Sequence, residues 1–205
     1  MTLPLQHPFT AIVAGPTSCG KSFFVFKLIE NARLMIDPPP EQIWYCYGEY
    51  QPMFNRYPDV IFHEGLPDFS KFDGRQPILL ILDDLMAETN LDVANLFTKG
   101  SHHRNISVLY LTQNLFHNNK YMRTISLNSH YIILFKSPRD ANQFATLARQ
   151  MYPTRSKFAQ EAYRDATDRP FGYIFIDLKP QQDERYRLRT NIFPGENQYV
   201  YVKKS

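Results

Sequence analysis

The sequence predicts an α/β fold with a mostly parallel central sheet flanked by helices. Three observations carry that prediction. Apolar β-rich runs alternate with stretches of helical character along most of the chain, the pattern of strand–helix–strand units whose strands lie parallel. Ile78-Leu79-Leu80-Ile81-Leu82 is an unbroken apolar run followed by Asp83-Asp84, as expected of a parallel strand covered on both faces. Gly15-Pro16-Thr17-Ser18-Cys19-Gly20-Lys21-Ser22 satisfies the phosphate-loop pattern GxxxxGK[ST] at every fixed position.

The elements follow in order. Residues 1–8 are a short lead-in with two prolines. Phe9–Ala14 reads as a buried strand, and the apolar run from Phe23 as a helix reaching about residue 33. Asp37-Pro38-Pro39-Pro40 breaks the chain, because proline ends helices and restricts its predecessor. Gln42–Tyr47 is a β-rich run, Val60–His63 a short extra strand, and 65–77 a turn-rich loop. After the 78–82 strand, a helix is expected from Glu88 to about Ser101. Strands follow at Ile106–Thr112 and Tyr131–Phe135. Pro138 is expected to open a helix running to about Gln150, and Ser156 to about Ala166 forms another. The tail is β-rich at 173–178, 187–193 and 199–202, either at the sheet edge or as a small antiparallel flap. At 205 residues this is one domain, with a core of about 9–170 and a β-rich C-terminal extension of about 171–205.

Composition narrows the class. Hydrophobic residues make up 43% and aromatics 15%, which argues for a folded chain. A net charge of only +3 does not point to a polyanion partner unless basic residues cluster locally. Cys19 and Cys46 give neither a disulfide framework nor a metal cluster. There is no N-terminal signal pattern, and the apolar runs are too short to span a bilayer. A soluble, intracellular protein with no membrane segment is expected.

The chemistry follows from the motifs. Backbone N–H groups of the glycine loop and the following helix N-terminus meet the charge of a phosphate chain. Gly15, Pro16, Thr17, Ser18, Cys19, Gly20, Lys21, Ser22 and Phe23 are therefore the candidate nucleotide-binding residues. Lys21 would reach the β- and γ-phosphates and the Ser22 hydroxyl would ligate Mg²⁺. Asp83 and Asp84 end a strand: the first would bind the metal and the second would orient or deprotonate the attacking water. A solvated turn after a strand uses the same residues. Gln113, at the tip of the 106–112 strand, is a candidate γ-phosphate sensor, with Thr112 and Asn114 as neighbouring alternatives. Arg104 and Arg139 are two candidates for an arginine acting on a neighbouring subunit's nucleotide; either also suits an ordinary surface position. His102 and His103 read as loop residues within reach of phosphate. Arg185, Arg187 and Arg189 alternate, which on a strand would put all three on one face as a basic stripe or a solvated edge. Lys120 and Arg123 with Phe116 and Tyr121 form a basic–aromatic loop.

Taken together, GPTSCGKS, ILLILDDLM, TKGSHHRNISVLYLTQNLF, RTISLNSHYIILFKSPRD, LARQMYP, FGYIFIDLKP and RLRTNIFP resemble the genome-packaging ATPases of Maverick/Polinton-type elements and related double-stranded DNA viruses. These belong to the FtsK–HerA group, which includes the poxvirus-type packaging ATPases. The resemblance spans about residues 9–194. It implies an ASCE-type P-loop NTPase with the 106–112 strand between the loop strand and the acidic strand. It also implies a Mg²⁺-dependent ATPase that moves double-stranded DNA into a capsid as a homo-oligomeric ring, with capsid or vertex proteins as partners, inside the infected cell. Lys21, Ser22, Asp83 and Gln113 match the family's loop lysine, metal-site hydroxyl, metal-site acid and sensor glutamine. The wider group often has Asp-Glu where this chain has Asp83-Asp84, and aspartate is one methylene shorter. A small-molecule kinase and a nucleotide-binding assembly factor with little turnover are the alternatives.

Overall fold

The structure, a computed structural model, describes residues 3–116, 120–139 and 141–203. The chain begins with β1 (Leu5–Gln6) and β2 (Thr10–Ala14), then α1 (Lys21–Glu30), α2 (Ala32–Met35), β3 (Ile36–Asp37), β4 (Gln42–Tyr47), β5 (Val60–Glu64) and β6 (Ile78–Asp83). Then come α3 (Leu91–Asn95), α4 (Ser101–His103), β7 (Ile106–Thr112), α5 (Met122–Leu127), β8 (Tyr131–Phe135), α6 (Ala141–Met151) and α7 (Ser156–Ala166). The tail adds β9 (Tyr173–Asp177), β10 (Leu188–Thr190) and β11 (Tyr199–Tyr201).

Nine strands form one sheet in the order β11-β10-β9-β8-β2-β7-β6-β4-β5. From β5 to β8 every pairing is parallel; β9, β10 and β11 then add antiparallel at the edge. The strand after the acidic one thus lies between it and the loop strand, β6-β7-β2, as expected of an additional-strand P-loop fold.

Alternation along each strand divides the core. Leu80 and Leu82 of β6 face one apolar layer with Val108, Tyr110, Phe97 and Phe144, while Leu79 and Ile81 face the other with Phe24, Val25 and Leu28 of α1. Both faces are covered, which is why β6 and β7 are apolar at nearly every position. Asn90 caps α3, its side-chain oxygen accepting from the N–H groups of Asp92 (2.9 Å) and Val93 (3.2 Å). That cap, not Glu88, sets the helix start, since an Asx side chain satisfies the open amides of the first turn. α6 begins at Ala141, after a turn through Pro138 and Arg139, so Pro138 does not open the helix.

Arg185, Arg187 and Arg189 do not share one strand face. Arg185 lies in a short 3₁₀ turn and pairs with Asp183 at 2.6 Å. Arg187 is 3.7 Å from Glu184. Arg189 points inward: its side chain is 3% exposed, 3.5 Å from Asp177, with the guanidinium 4.7 Å from the Phe175 ring centre. A buried guanidinium needs a carboxylate and an aromatic face more than this strand needs a polar edge. No helix of the described residues is long and apolar enough to cross a membrane.

Candidate functional site

Parallel strands place their carboxyl ends on one edge, so loops leaving those ends meet. Four adjacent strands, β4, β6, β7 and β2, do so here. Between their tips lies a cleft of about 170 Å³ lined by Thr17, Ser18, Lys21 and Ser22 from the glycine loop, Asp83 and Asp84 after β6, and Gln113 after β7. Tyr47, Gly48, Glu49 and Gln51 close it from the end of β4. The motif residues far apart in sequence therefore share one cleft.

The loop is held tightly. A Cβ at Gly15 would sit 2.6 Å from the Cys19 sulfur and 2.8 Å from Phe135, and Gly20 has φ +112°. Only glycine fits a close approach and a left-handed backbone of this kind. The Lys21 ammonium donates to the carbonyl oxygens of Gly15 (2.6 Å) and Pro16 (3.1 Å), which keeps its charge at the loop mouth.

Asp83 is half-buried, and its Oδ2 accepts a 2.6 Å hydrogen bond from the hydroxyl of Tyr45, which is wholly buried. Burial raises the Asp83 carboxyl above the ordinary range; the Tyr45 hydrogen bond and Lys21 oppose that rise, and the Asp84 charge adds to it. Burial and the Asp83 carboxylate push the Tyr45 hydroxyl far upward, so it remains a donor. Asp84 adopts a left-handed backbone, φ 55°. Of the residues at the β7 tip, Thr112 and Asn114 are engaged by nearby backbone: Thr112 Oγ1 accepts from Asn114 N–H at 3.3 Å, and Asn114 Oδ1 accepts from Phe116 N–H at 2.8 Å. Gln113 is exposed into the cleft.

The two arginines lie at opposite ends of the sheet. Arg104 precedes β7, whose seven residues separate it from Gln113 by roughly 23 Å at the usual rise of about 3.3 Å per residue. It faces a groove with Asp68, Asn90 and Asp92. His102 and His103 share that distant end, with His102 5.9 Å from the His130 ring, so neither reaches the cleft of its own chain. Arg139 is exposed in the turn after β8, whose last residue Phe135 touches the glycine loop. Lys120 lies 4.7 Å from the Tyr121 ring centre; residues 117–119 of that basic–aromatic loop lie outside the described residues.

Sequence reasoning missed two features. A groove of about 490 Å³ adjoins the start of α1, bordered by Gly20, Phe23, Phe171 and Tyr199. Phe23 is 68% and Phe171 63% exposed, a costly display of aromatic surface for a lone chain. The tail builds one wall of this groove, and no motif marks it. Glu49 was also missed, although a carboxylate just beyond a parallel strand's end is a legible signal.

The strand order and glycine loop define a P-loop NTPase fold with the additional central strand. No family model matches the chain, and no curated protein does. Among solved structures it is similar to the DNA-packaging ATPase B204 of Sulfolobus turreted icosahedral virus (TM-score 0.56, 12% identity, 97% of this chain and 100% of that one). It is also similar to the genome-packaging NTPase B204 of Sulfolobus turreted icosahedral virus 2, in complex with ATP-gammaS (TM-score 0.54, 11% identity, 95% and 97%) and with AMP (0.54, 11%, 85% and 95%). The fold is therefore one that viral genome-packaging NTPases adopt.

Proposed function

We propose that this chain is a Mg²⁺-dependent ATPase that drives double-stranded DNA into a viral capsid. The observation that carries the reading is the cleft in which Lys21, Ser22, Asp83 and Gln113 meet. Lys21 would exchange its contacts with Gly15 and Pro16 for phosphate oxygens. The hard oxygen donors of Ser22 and Asp83 suit Mg²⁺, which would neutralise charge on the β- and γ-phosphates. Tyr45 fixes one Asp83 oxygen, and the other would be left to take the metal. Gln113 would contact the γ-phosphate or the water. The nucleoside would lie across Phe23, Phe171 and Tyr199, where aromatic faces take a base by stacking.

The likeness to packaging NTPases supports double-stranded DNA and capsid or vertex proteins as partners, a homo-oligomeric ring as the working form, and a site of action in the infected cell. In such a ring Arg139, at the nucleotide end of the sheet, and Arg104, at the opposite end, are the candidates for action on a neighbour's γ-phosphate. The test is turnover of ATP with Mg²⁺, with and without duplex DNA. Lys21→Ala should abolish it; full activity in that variant defeats the assignment. Duplex DNA should stimulate turnover in a salt-sensitive way, and a rate indifferent to DNA counts against translocation.

A further inference from the structure

We propose that Glu49, rather than Asp84, is the general base that takes the proton from the attacking water. The proposal rests on the hydrolase reading of the cleft. β4 and β6 are hydrogen-bonded neighbours with Tyr47 paired to Asp83. Just beyond that pair the Gly48 N–H donates to the Asp83 carbonyl at 3.2 Å, and a Cβ at Gly48 would sit 2.9 Å from the Asp84 carbonyl oxygen. The tip of β4 is thereby seated on the end of the acidic strand, and Glu49 is the next residue. It lines the cleft with Lys21, Ser22 and Gln113. Among the described residues no ion pair or side-chain hydrogen bond engages its carboxylate, so both oxygens are open to accept.

Asp84 is less well placed. Its backbone turns left-handed directly after Asp83, and its side chain is one methylene shorter. In the step itself the water oxygen bonds to the γ-phosphorus and the bond from that phosphorus to the bridging oxygen breaks. The electron pair leaves on the nucleoside diphosphate, and the water proton passes to Glu49.

The test uses the full chain with ATP and Mg²⁺, comparing wild type, Glu49→Gln and Asp84→Asn, with binding of the non-hydrolysable analogue AMPPCP measured alongside. Glu49→Gln should slow turnover by about 100-fold or more, the usual loss on removing a general base, with AMPPCP affinity kept within about threefold. Asp84→Asn should cost less than about tenfold. Near-normal turnover in Glu49→Gln, or a larger loss in Asp84→Asn, overturns the assignment, as does a parallel loss of AMPPCP affinity in Glu49→Gln. A wild type that binds AMPPCP and never hydrolyses ATP overturns the hydrolase reading itself, and Glu49 with it.

Discussion

Replacing Tyr45 by phenylalanine removes one oxygen from the interior and leaves the ring where it is. The ring is held by Phe26 (centroids 5.4 Å, nearly parallel), Phe54 (5.2 Å) and Phe62 (5.6 Å), none of which needs the hydroxyl. What is lost is the 2.6 Å bond to Asp83 Oδ2. A hydrogen bond to a charged group contributes about 1.5–3 kcal/mol, and Tyr45→Phe should destabilise the protein by about that much at neutral pH. The pH dependence follows from sign. Burial raises Asp83 in the folded state, so stability through this group is greatest when it is protonated and falls as pH rises through its raised value. Removing the hydroxyl takes away an opposing interaction and raises Asp83 further. The deficit of the variant should therefore be full at neutral pH and shrink as pH falls and the carboxyl protonates in both proteins. Urea denaturation of the two proteins across neutral to acidic pH reads this directly. A deficit below about 0.5 kcal/mol, within the usual range of surface changes, or one that grows on acidification, would refute the reasoning. The acid side of the ATPase pH profile should also move to higher pH in the variant, because Asp83 would lose its charge earlier.

Two further outcomes follow from the far end of the sheet and its tail. His130 is lowered to about 4 by burial, with Lys179 and His102 adding to the effect, and its Nδ1 accepts from the Thr10 N–H at 3.0 Å. The unfolded chain therefore binds this proton more readily, and about 2 kcal/mol of stability, allowing for a half-buried ring, should be lost as pH falls from about 6.5 to about 4. His130→Gln should flatten that loss in thermal melts, and an unchanged slope counts against it. Asp177→Asn leaves the buried Arg189 without its carboxylate and should cost about 3–5 kcal/mol in urea, while replacing both residues by leucine restores most of it. A cost below about 1 kcal/mol would mean that the pair is not the anchor of the tail.

Much of this protein was legible in the amino-acid order, and the reason is local. Glycines at 15 and 20 are required by backbone geometry, and Lys21 and Ser22 follow directly, so the whole pattern falls within a few residues and announces itself. The apolar run 78–82 reads as a strand because both its faces are covered. Helix starts were less legible: Asn90, by capping α3, overrode the expectation of Glu88. The arginine pattern misled because alternation assumes a continuous strand, whereas a 3₁₀ turn at 184–186 interrupts it and turns Arg189 inward. Side-chain type alone does not tell a solvated arginine from one neutralised by Asp177 in the core.

What the sequence determined by itself was the glycine loop and the acid pair as candidate phosphate and metal groups, since those are specified by short-range spacing. Only the tertiary structure decided which of them share a cleft. Strand order, with β7 between β2 and β6 as the resemblance implied, sent Arg104 to the far edge and carried Glu49 to the near one. Pairing between distant strands is a long-range event, and its outcome is written in contacts that no window of sequence contains.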